Sequence, residues 1–525
     1  MLIVLTMEML SLTQTFFRSF VGFNGPFQAA FTFLLFTICS TQNFRAPPLI
    51  PNVPYLWAWN APTERCNKRH GVSLDLRLFS LVGSSQKDVT RQNITLFYPD
   101  QLGYYPYINR ETKKRVNGGI PRLRSLKRHL RAAKEDITHY IPTDNVGLAV
   151  IDWEEWQPLW ERNWEPNDVY RQLSMKLVRQ RSILLNKTET IKVAKREFEK
   201  AAKNFMQETL SLGKLLRPNF LWGYYLFPDC YNYYNNAPNY TGGCSGVEKR
   251  RNDELDWMWN ESTALYPSIY LKAQLSSTPQ AALFVRNRIQ EAIRVSKAPH
   301  TKRPIPVFVY TRPDFQDLST KYLPQVDLES TIGESVALGA SGIVIWRNFN
   351  LTQSRQSCMN LSNYVKTKLN PYLINVTLAG KMCSQMLCQD QGVCIRRYWN
   401  SSDYLHLNPR NFAIQTGNNG KYSIHGKPTL EDLHYFSDKF YCSCYANIPC
   451  RATFEIQKNK TIHVCVAEDI CIDVFLNRKR KGHSSRPSRV KAKSKLSRKV
   501  LSHTAASKMS PCVSGKVPRK CDTIR

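Results

Sequence analysis

Asn145–Trp164, NVGLAVIDWEEWQPLWERNW, carries an apolar run straight into three carboxylates set among tryptophans. Val146–Ile151 reads as a short strand buried on both faces, the kind that parallel sheets use. An extended continuation puts Asp152 and Glu154 on one face and Trp153 and Glu155 on the other. Two carboxylates then share one small site, where desolvation and mutual repulsion raise the pKa of at least one. The proton so retained near neutral pH is what a general acid needs. The plainer alternative is a set of solvated loop acids after a core strand, with the tryptophans as packing. Alternation points Glu155 away from Glu154, making it structural unless a bulge shifts the register.

Outward from this stretch, strand-like runs at Tyr55–Asn60, Leu76–Val82, Ile94–Tyr98, Phe220–Phe227, Ala264–Leu271, Ile305–Tyr310 and Ser341–Trp346 alternate with helical spacing. The helical segments are Arg122–Ile141, Thr190–Leu216, Ala281–Ala298, Thr331–Gly339 and Cys358–Leu369. That alternation predicts an α/β fold with a parallel sheet, either a barrel or an open doubly wound sheet. No glycine-rich phosphate loop marks the open form. After Gly380 the composition changes to closely spaced cysteines in CSQMLCQDQGVC and YCSC, which read as a small disulfide-stapled module. Zinc is the other use of such spacing, and the irregular intervals speak against it.

The chain has 525 residues and a formal charge of +32, too long for one ordinary core and strongly basic. From Arg478 to Arg525 there are sixteen Lys or Arg against one acid, Asp522, so nearly half of the excess sits in the tail. A basic body suits a polyanionic partner, and no nucleic-acid-binding motif is present. Ala29–Ile38, followed by Cys39, Ser40 and Thr41, fits the apolar core of a secretory signal cut near Thr41. Fifteen cysteines less Cys39 leave an even fourteen, and nine Asn-X-Ser/Thr sequons occur, at Asn93, Asn186, Asn239, Asn260, Asn350, Asn360, Asn375, Asn400 and Asn459. Both features point to the secretory route.

The central string, with FRAPP (Phe44–Pro48), LWAWN (Leu56–Asn60), GGIPRL (Gly118–Leu123) and WGYYLFPDCYN (Trp222–Asn232), resembles the animal hyaluronidase family of glycoside hydrolases, and within it the sperm-surface (testicular) branch. The similarity runs from about Asn43 to about Asp473. It implies a distorted TIM-like barrel over 42–379, an EGF-like module over 380–473 and, beyond the family pattern, a basic tail over 474–525, behind a signal at 1–41. It implies endo-hydrolysis of hyaluronan with no cofactor and no metal. In that chemistry the substrate's acetamido oxygen attacks the anomeric carbon, Glu154 protonates the leaving oxygen and then activates water, and Asp152 orients the acetamido group. Asn60, Tyr98, Tyr225, Asp229, Ser268, Tyr270, Tyr310 and Trp346 match the family's substrate-binding positions. Core packing is the ordinary alternative for any one such aromatic.

The same resemblance implies disulfides Cys66–Cys358, Cys230–Cys244, Cys383–Cys394 and Cys388–Cys442. It leaves Cys444, Cys450, Cys465 and Cys471 to pair among themselves, and Cys512 and Cys521 open. The sperm-surface enzyme carries a lipid anchor, whose hydrophobic tail signal this sequence lacks. The expected location is the sperm surface, acrosome or extracellular space. The tail stands as a polybasic patch for anionic membrane or polyanion, an import-like run, or an end without a role. Two other functions compete: a hyaluronan or egg-coat adhesin with little turnover, and a chondroitin-preferring hydrolase. Glu291 and Arg294, one helical turn apart, read as easily as a surface pair as a functional one.

Overall fold

The run Val146–Ile151 forms a strand over Gly147–Ile151, all five residues buried. A Cβ at Gly147 would lie 2.0 Å from the Asn93 carbonyl oxygen, so the approach of the neighbouring chain requires glycine there. The computed structural model describes residues 44–475 except 183, 234–236, 298–303, 418–419, 447 and 449–460. The signal-like segment, Cys39, Cys450, Cys512, Cys521, Asn459 and the tail from 476 lie outside the described residues.

In chain order the strands of the first part are β1 Leu56–Asn60, β2 Leu81–Gly83, β3 Ile94–Phe97, β4 Tyr107–Ile108, β5 Arg115–Val116, β6 Gly147–Ile151, β7 Phe220–Tyr224, β8 Phe308–Thr311 and β9 Gly342–Trp346. β3, β6 and β7 form one parallel sheet, with Phe97 opposite Ile151 and Ile151 opposite Tyr224. β2, β1, β9 and β8 form a second parallel sheet in that order. The stretch Ala264–Leu271, expected as a strand, joins the two only through isolated parallel bridges: Tyr225 to Tyr266, Leu265 to Val307, and Ser268 to Tyr310. Pro267 has no N–H to donate and interrupts the ladder. On the other side the Gln92 side chain spans from β3's leading edge to β2, accepting from Ser84 N at 2.5 Å and donating to Ser84 O at 3.0 Å.

Alternation along these strands separates two cores. Leu56, Ala58, Leu96, Leu148, Val150, Tyr266, Tyr310 and Val344 meet in one cluster drawn from both sheets. Trp57, Trp59, Phe97, Ile151, Tyr224 and Val309 face the other way, into the larger core with the helices. The helix expected over Thr190–Leu216 starts earlier, at Lys187, because Asn186 and Glu189 form a capping box. The one expected over Arg122–Ile141 is Leu126–Tyr140, capped by Ser125. Asp168–Arg181 is a helix with no counterpart in the sequence reading. No helix among the described residues is long and apolar enough to cross a membrane.

Helix Asn370–Cys383 runs on into the cysteine-rich part, where β10 Gly392–Arg396 pairs antiparallel with β13 Phe440–Cys444. Two further antiparallel pairs follow, β11 Phe412–Thr416 with β12 Tyr422–Gly426, and β14 Thr461–Ala467 with β15 Ile470–Phe475. The four disulfides implied by the resemblance are all formed. Cys465 pairs with Cys471, and Cys444 is also disulfide-bonded. Across this region Glu334 is fully buried between Arg286 at 2.6 Å and Arg396 at 2.8 Å, with Tyr404 Oη donating to it at 2.8 Å.

Candidate active site

β6 delivers Asp152 and Glu154 from its C-terminal end, the end that carries chemistry in parallel α/β folds. The Asp152 N–H donates to Phe97 O at 2.9 Å, and Tyr225 N–H to Ile151 O at 2.9 Å, so the ends of β3, β6 and β7 are held level. Burial pushes the Asp152 carboxyl well above the usual carboxylate range, and the charge of Glu154 adds to it. Burial also raises Glu154, while a hydrogen bond from Asp152 and the guanidinium of Arg110 pull it partly back. Glu154 is open at its surface but recessed among protein groups, with the Asp229 carboxylate adding repulsion. Desolvation and mutual repulsion thus favour protonation of the pair, and one Asp152 oxygen is buried without any protein partner.

The tryptophans of the central string do not wall this pair. Trp153 stacks on Tyr105 at 4.3 Å, and Trp156 donates its indole N–H to Pro106 O at 2.7 Å, both buried on the opposite face. The alternation that aims Asp152 and Glu154 one way aims Trp153 the other. Glu155 goes with them: burial raises its pKa, and it bears on Tyr105, Tyr107 and Tyr170.

Tyrosines and one tryptophan from the remaining strand ends complete the surround. Tyr225 donates its hydroxyl to Ser268 Oγ at 3.2 Å and lies 5.1 Å, ring to ring, from Tyr310. Tyr270 stacks on Trp346 with 6.1 Å between centroids. Tyr98 donates to Ser85 O at 3.1 Å. Burial pushes the hydroxyls of Tyr98, Tyr225, Tyr270 and Tyr310 up, so all four remain neutral donors. The Tyr310 hydroxyl and both amide atoms of fully buried Asn60 have no protein partner. Unmatched buried polar atoms are costly, and the Tyr310 hydroxyl is near enough to Asp152 to feel its charge.

Asp229 is differently placed. Its oxygens take Arg288 at 3.0 Å, Arg162 at 3.6 Å and the N–H groups of Cys230 and Tyr231. Arg288 also donates to Ser268 O at 2.9 Å, tying Asp229 to the Tyr225–Ser268 contact. Other supports carry no sequence signal, being lone residues far apart along the chain. Asp314 sits buried between Arg312 and Arg347, and Arg347 anchors both the Asn60 carbonyl, through its N–H at 3.2 Å, and Ser85 Oγ, through its own carbonyl at 2.6 Å. Glu291 is buried rather than a surface group, paired with Arg294 at 2.8 Å and accepting from Asn252 Nδ2.

A cavity of about 620 Å³ opens elsewhere, between Trp164, Tyr231, Tyr240 and Arg251, and contains neither Asp152 nor Glu154. Among the described residues no cluster of His, Cys, Asp and Glu could hold a metal ion.

Compared with known proteins, residues 44–455 match the family described as hyaluronidase. Hyaluronidase PH-20 of Homo sapiens is 59% identical over 470 residues, covering 90% of this chain and 92% of that protein. Hyaluronidase-5 of Mus musculus is 59% identical over 467 residues, 89% of each chain. A crystal structure of bee venom hyaluronidase in complex with a hyaluronic acid tetramer superposes with a TM-score of 0.52 at 29% identity, over 60% of this chain and 98% of that one.

Proposed function

The chain belongs to the hyaluronidase family, and from that membership we propose that it is an endo-acting glycosidase that hydrolyses the β-1,4 bonds of hyaluronan, with Glu154 and Asp152 as its catalytic pair. The observation that carries the assignment is the pair of carboxyls side by side at the end of β6, both pushed up by desolvation, within a ring of strand-end tyrosines. The two sheets with their common inner cluster are read as a distorted barrel closed by the Gln92 and Pro267 seams, and the cysteine-rich part as an EGF-like module.

Two acids two residues apart lie too close to work from opposite faces of a sugar, which suits a substrate-assisted route better than a two-carboxylate one. The substrate's acetamido N–H donates to the unpartnered Asp152 oxygen. That bond favours the charged form of Asp152 and moves the pair's proton toward Glu154. Glu154 then protonates the glycosidic oxygen as the bond to the anomeric carbon breaks and the acetamido oxygen bonds to that carbon. Asp152 balances the positive charge on the cyclised acetamido group. Water next gives a proton to the Glu154 carboxylate and attacks the anomeric carbon, releasing the acetamido oxygen; two inversions give net retention. Tyr225, Tyr310 and Asn60 supply hydrogen bonds to the acetamido sugar, and Tyr270 and Trp346 offer it an aromatic face.

Kinship with PH-20 proteins supports a role in opening the hyaluronan matrix around the egg, at the sperm surface or outside the cell. The deciding experiment is reducing-end release from purified hyaluronan and from chondroitin at acid and neutral pH, with Glu154→Gln as matched control. Wild-type release lost in the variant, by about 10²-fold or more, establishes the hydrolase. Binding of hyaluronan without release makes the protein an adhesin, and faster release from chondroitin reassigns the substrate.

A further inference from the structure

The β4–β5 hairpin lies beside the acid pair, near enough for the charge of Arg110 to act on Glu154. Its tip carries Arg110, Lys113, Lys114 and Arg115 against one acid, Glu111, and all five side chains are exposed. The hairpin is braced rather than loose. Ile108 N–H donates to Tyr170 Oη at 3.2 Å, Asn109 Oδ1 accepts from the N–H groups of Glu111 and Thr112, and Tyr107 stacks on Tyr105 at 6.0 Å. Tyr105, Tyr107 and Tyr170 are the residues that pack around Glu155, the neighbour of the acid pair. Arg110, held by Asn167 Oδ1 at 3.1 Å, lies close enough for its charge to act on both Glu154 and Glu155. Among the described residues, Lys113, Lys114 and Arg115 form no ion pair within 4 Å. A second cation stands on the neighbouring rim, where Lys87 lies 5.4 Å above the Tyr98 ring, although it is shared with Asp100.

We propose that the Asn109–Val116 hairpin is a carboxylate clamp, in which Lys113, Lys114 and Arg115 hold the uronate groups of the polymer strand as it passes over Glu154. This rests on the reading of the substrate as hyaluronan. The strand-end pocket is built of neutral tyrosines, one tryptophan and an acid pair, and its buried arginines 312 and 347 are taken up by Asp314. Left alone, such a pocket repels a polyanion; the hairpin, tied to the site through Arg110, adds free positive charge that raises local substrate concentration. Four cations stand within six residues of this braced hairpin, and charges in solvent are felt over a Debye length of about 8 Å at physiological salt.

The test compares wild type, Lys113→Ala/Lys114→Ala/Arg115→Ala, and the charge-keeping Lys113→Arg/Lys114→Arg/Arg115→Lys. Initial rates are taken on hyaluronan and on its carboxyl-methyl ester across a range of salt. The alanine variant is expected to raise KM for hyaluronan about tenfold at low salt, the size that three exposed charge pairs produce together. Its KM should depend less on salt and stay unchanged on the ester, and the charge-keeping variant should behave as wild type. An unchanged KM, an equal loss on the ester, or failure of the charge-keeping variant overturns the clamp. Equilibrium binding of hyaluronan in a Glu154→Gln background repeats the comparison without turnover. Absence of wild-type hydrolysis would therefore sink the enzymatic reading while leaving the clamp to be judged on binding.

Discussion

The carboxyl of Asp152 is hydrogen-bonded to that of Glu154 across a strand end, and burial drives both toward the protonated form. A carboxyl raised on folding stabilises the fold fully below its unfolded pKa, and that contribution is lost as pH rises through the folded value. At neutral pH the pair is therefore a destabilising feature kept for chemistry. Asp152→Asn should raise Tm by about 3 °C at pH 7.5 and by little at pH 4, while turnover collapses. Equal Tm shifts at the two pH values in thermal unfolding would contradict protonation of the pair.

Tyr225→Phe removes the hydroxyl that donates to Ser268 and leaves the ring against Tyr310. An interaction that tightens only in the transition state lowers kcat with KM unchanged, and a drop of about tenfold in steady-state kinetics is expected. Trp346→Ala instead removes the face stacked on Tyr270 and should appear mainly as a higher KM.

Glu334 stands between two buried arginines from separate parts of the chain. Neutralising it leaves Arg286 and Arg396 desolvated against each other, a loss of about 3–5 kcal/mol. Urea unfolding of Glu334→Gln should show that loss, with KM for hyaluronan close to wild type in whatever fraction remains folded.

His129 is completely buried, its Nε2 at 2.9 Å from Thr209 Oγ1 and its Nδ1 accepting from Tyr104 N–H. Burial lowers it to about 4, with Arg124 adding to the shift, and lowers His406 to about 4 as well. A depressed histidine contributes stability above its unfolded pKa of about 6.5 that is lost as pH falls from there toward 4. His406→Gln should therefore lose less Tm than wild type between pH 7 and pH 5. A steeper acid loss in the variant would reverse the sign of this argument.

Continuous buried runs made β1, β3, β6 and β9 readable to within a residue or so, because a strand covered on both faces leaves little polar interruption. Ala264–Leu271 looked equally strand-like, but one missing N–H at Pro267 reduces it to single bridges. At the site, period-two alternation separated Asp152 and Glu154 from Glu155 correctly, and followed one step further it also turns Trp153 away from the acids. What local pattern cannot carry is partnership over distance. Glu334 meets Arg396 across 62 residues, and Arg288 reaches Asp229 from a separate helix. The hairpin shows the same limit: four basic residues in a turn look like solvated surface until Tyr105, Tyr107 and Tyr170 beside them prove to lie near Glu155.

Cys66 and Cys358 are joined across 292 residues, from the helix after β1 to the helix after β9. Topologically this makes residues 66–358, which carry β2 to β9, a covalent ring with β1 and the cysteine-rich part hanging from it. One proteolytic cut anywhere in that ring opens it without freeing a fragment, so a nicked molecule keeps its mass until a reductant is added. A clipped loop is then survivable damage, with both halves of the severed ring still held to one another.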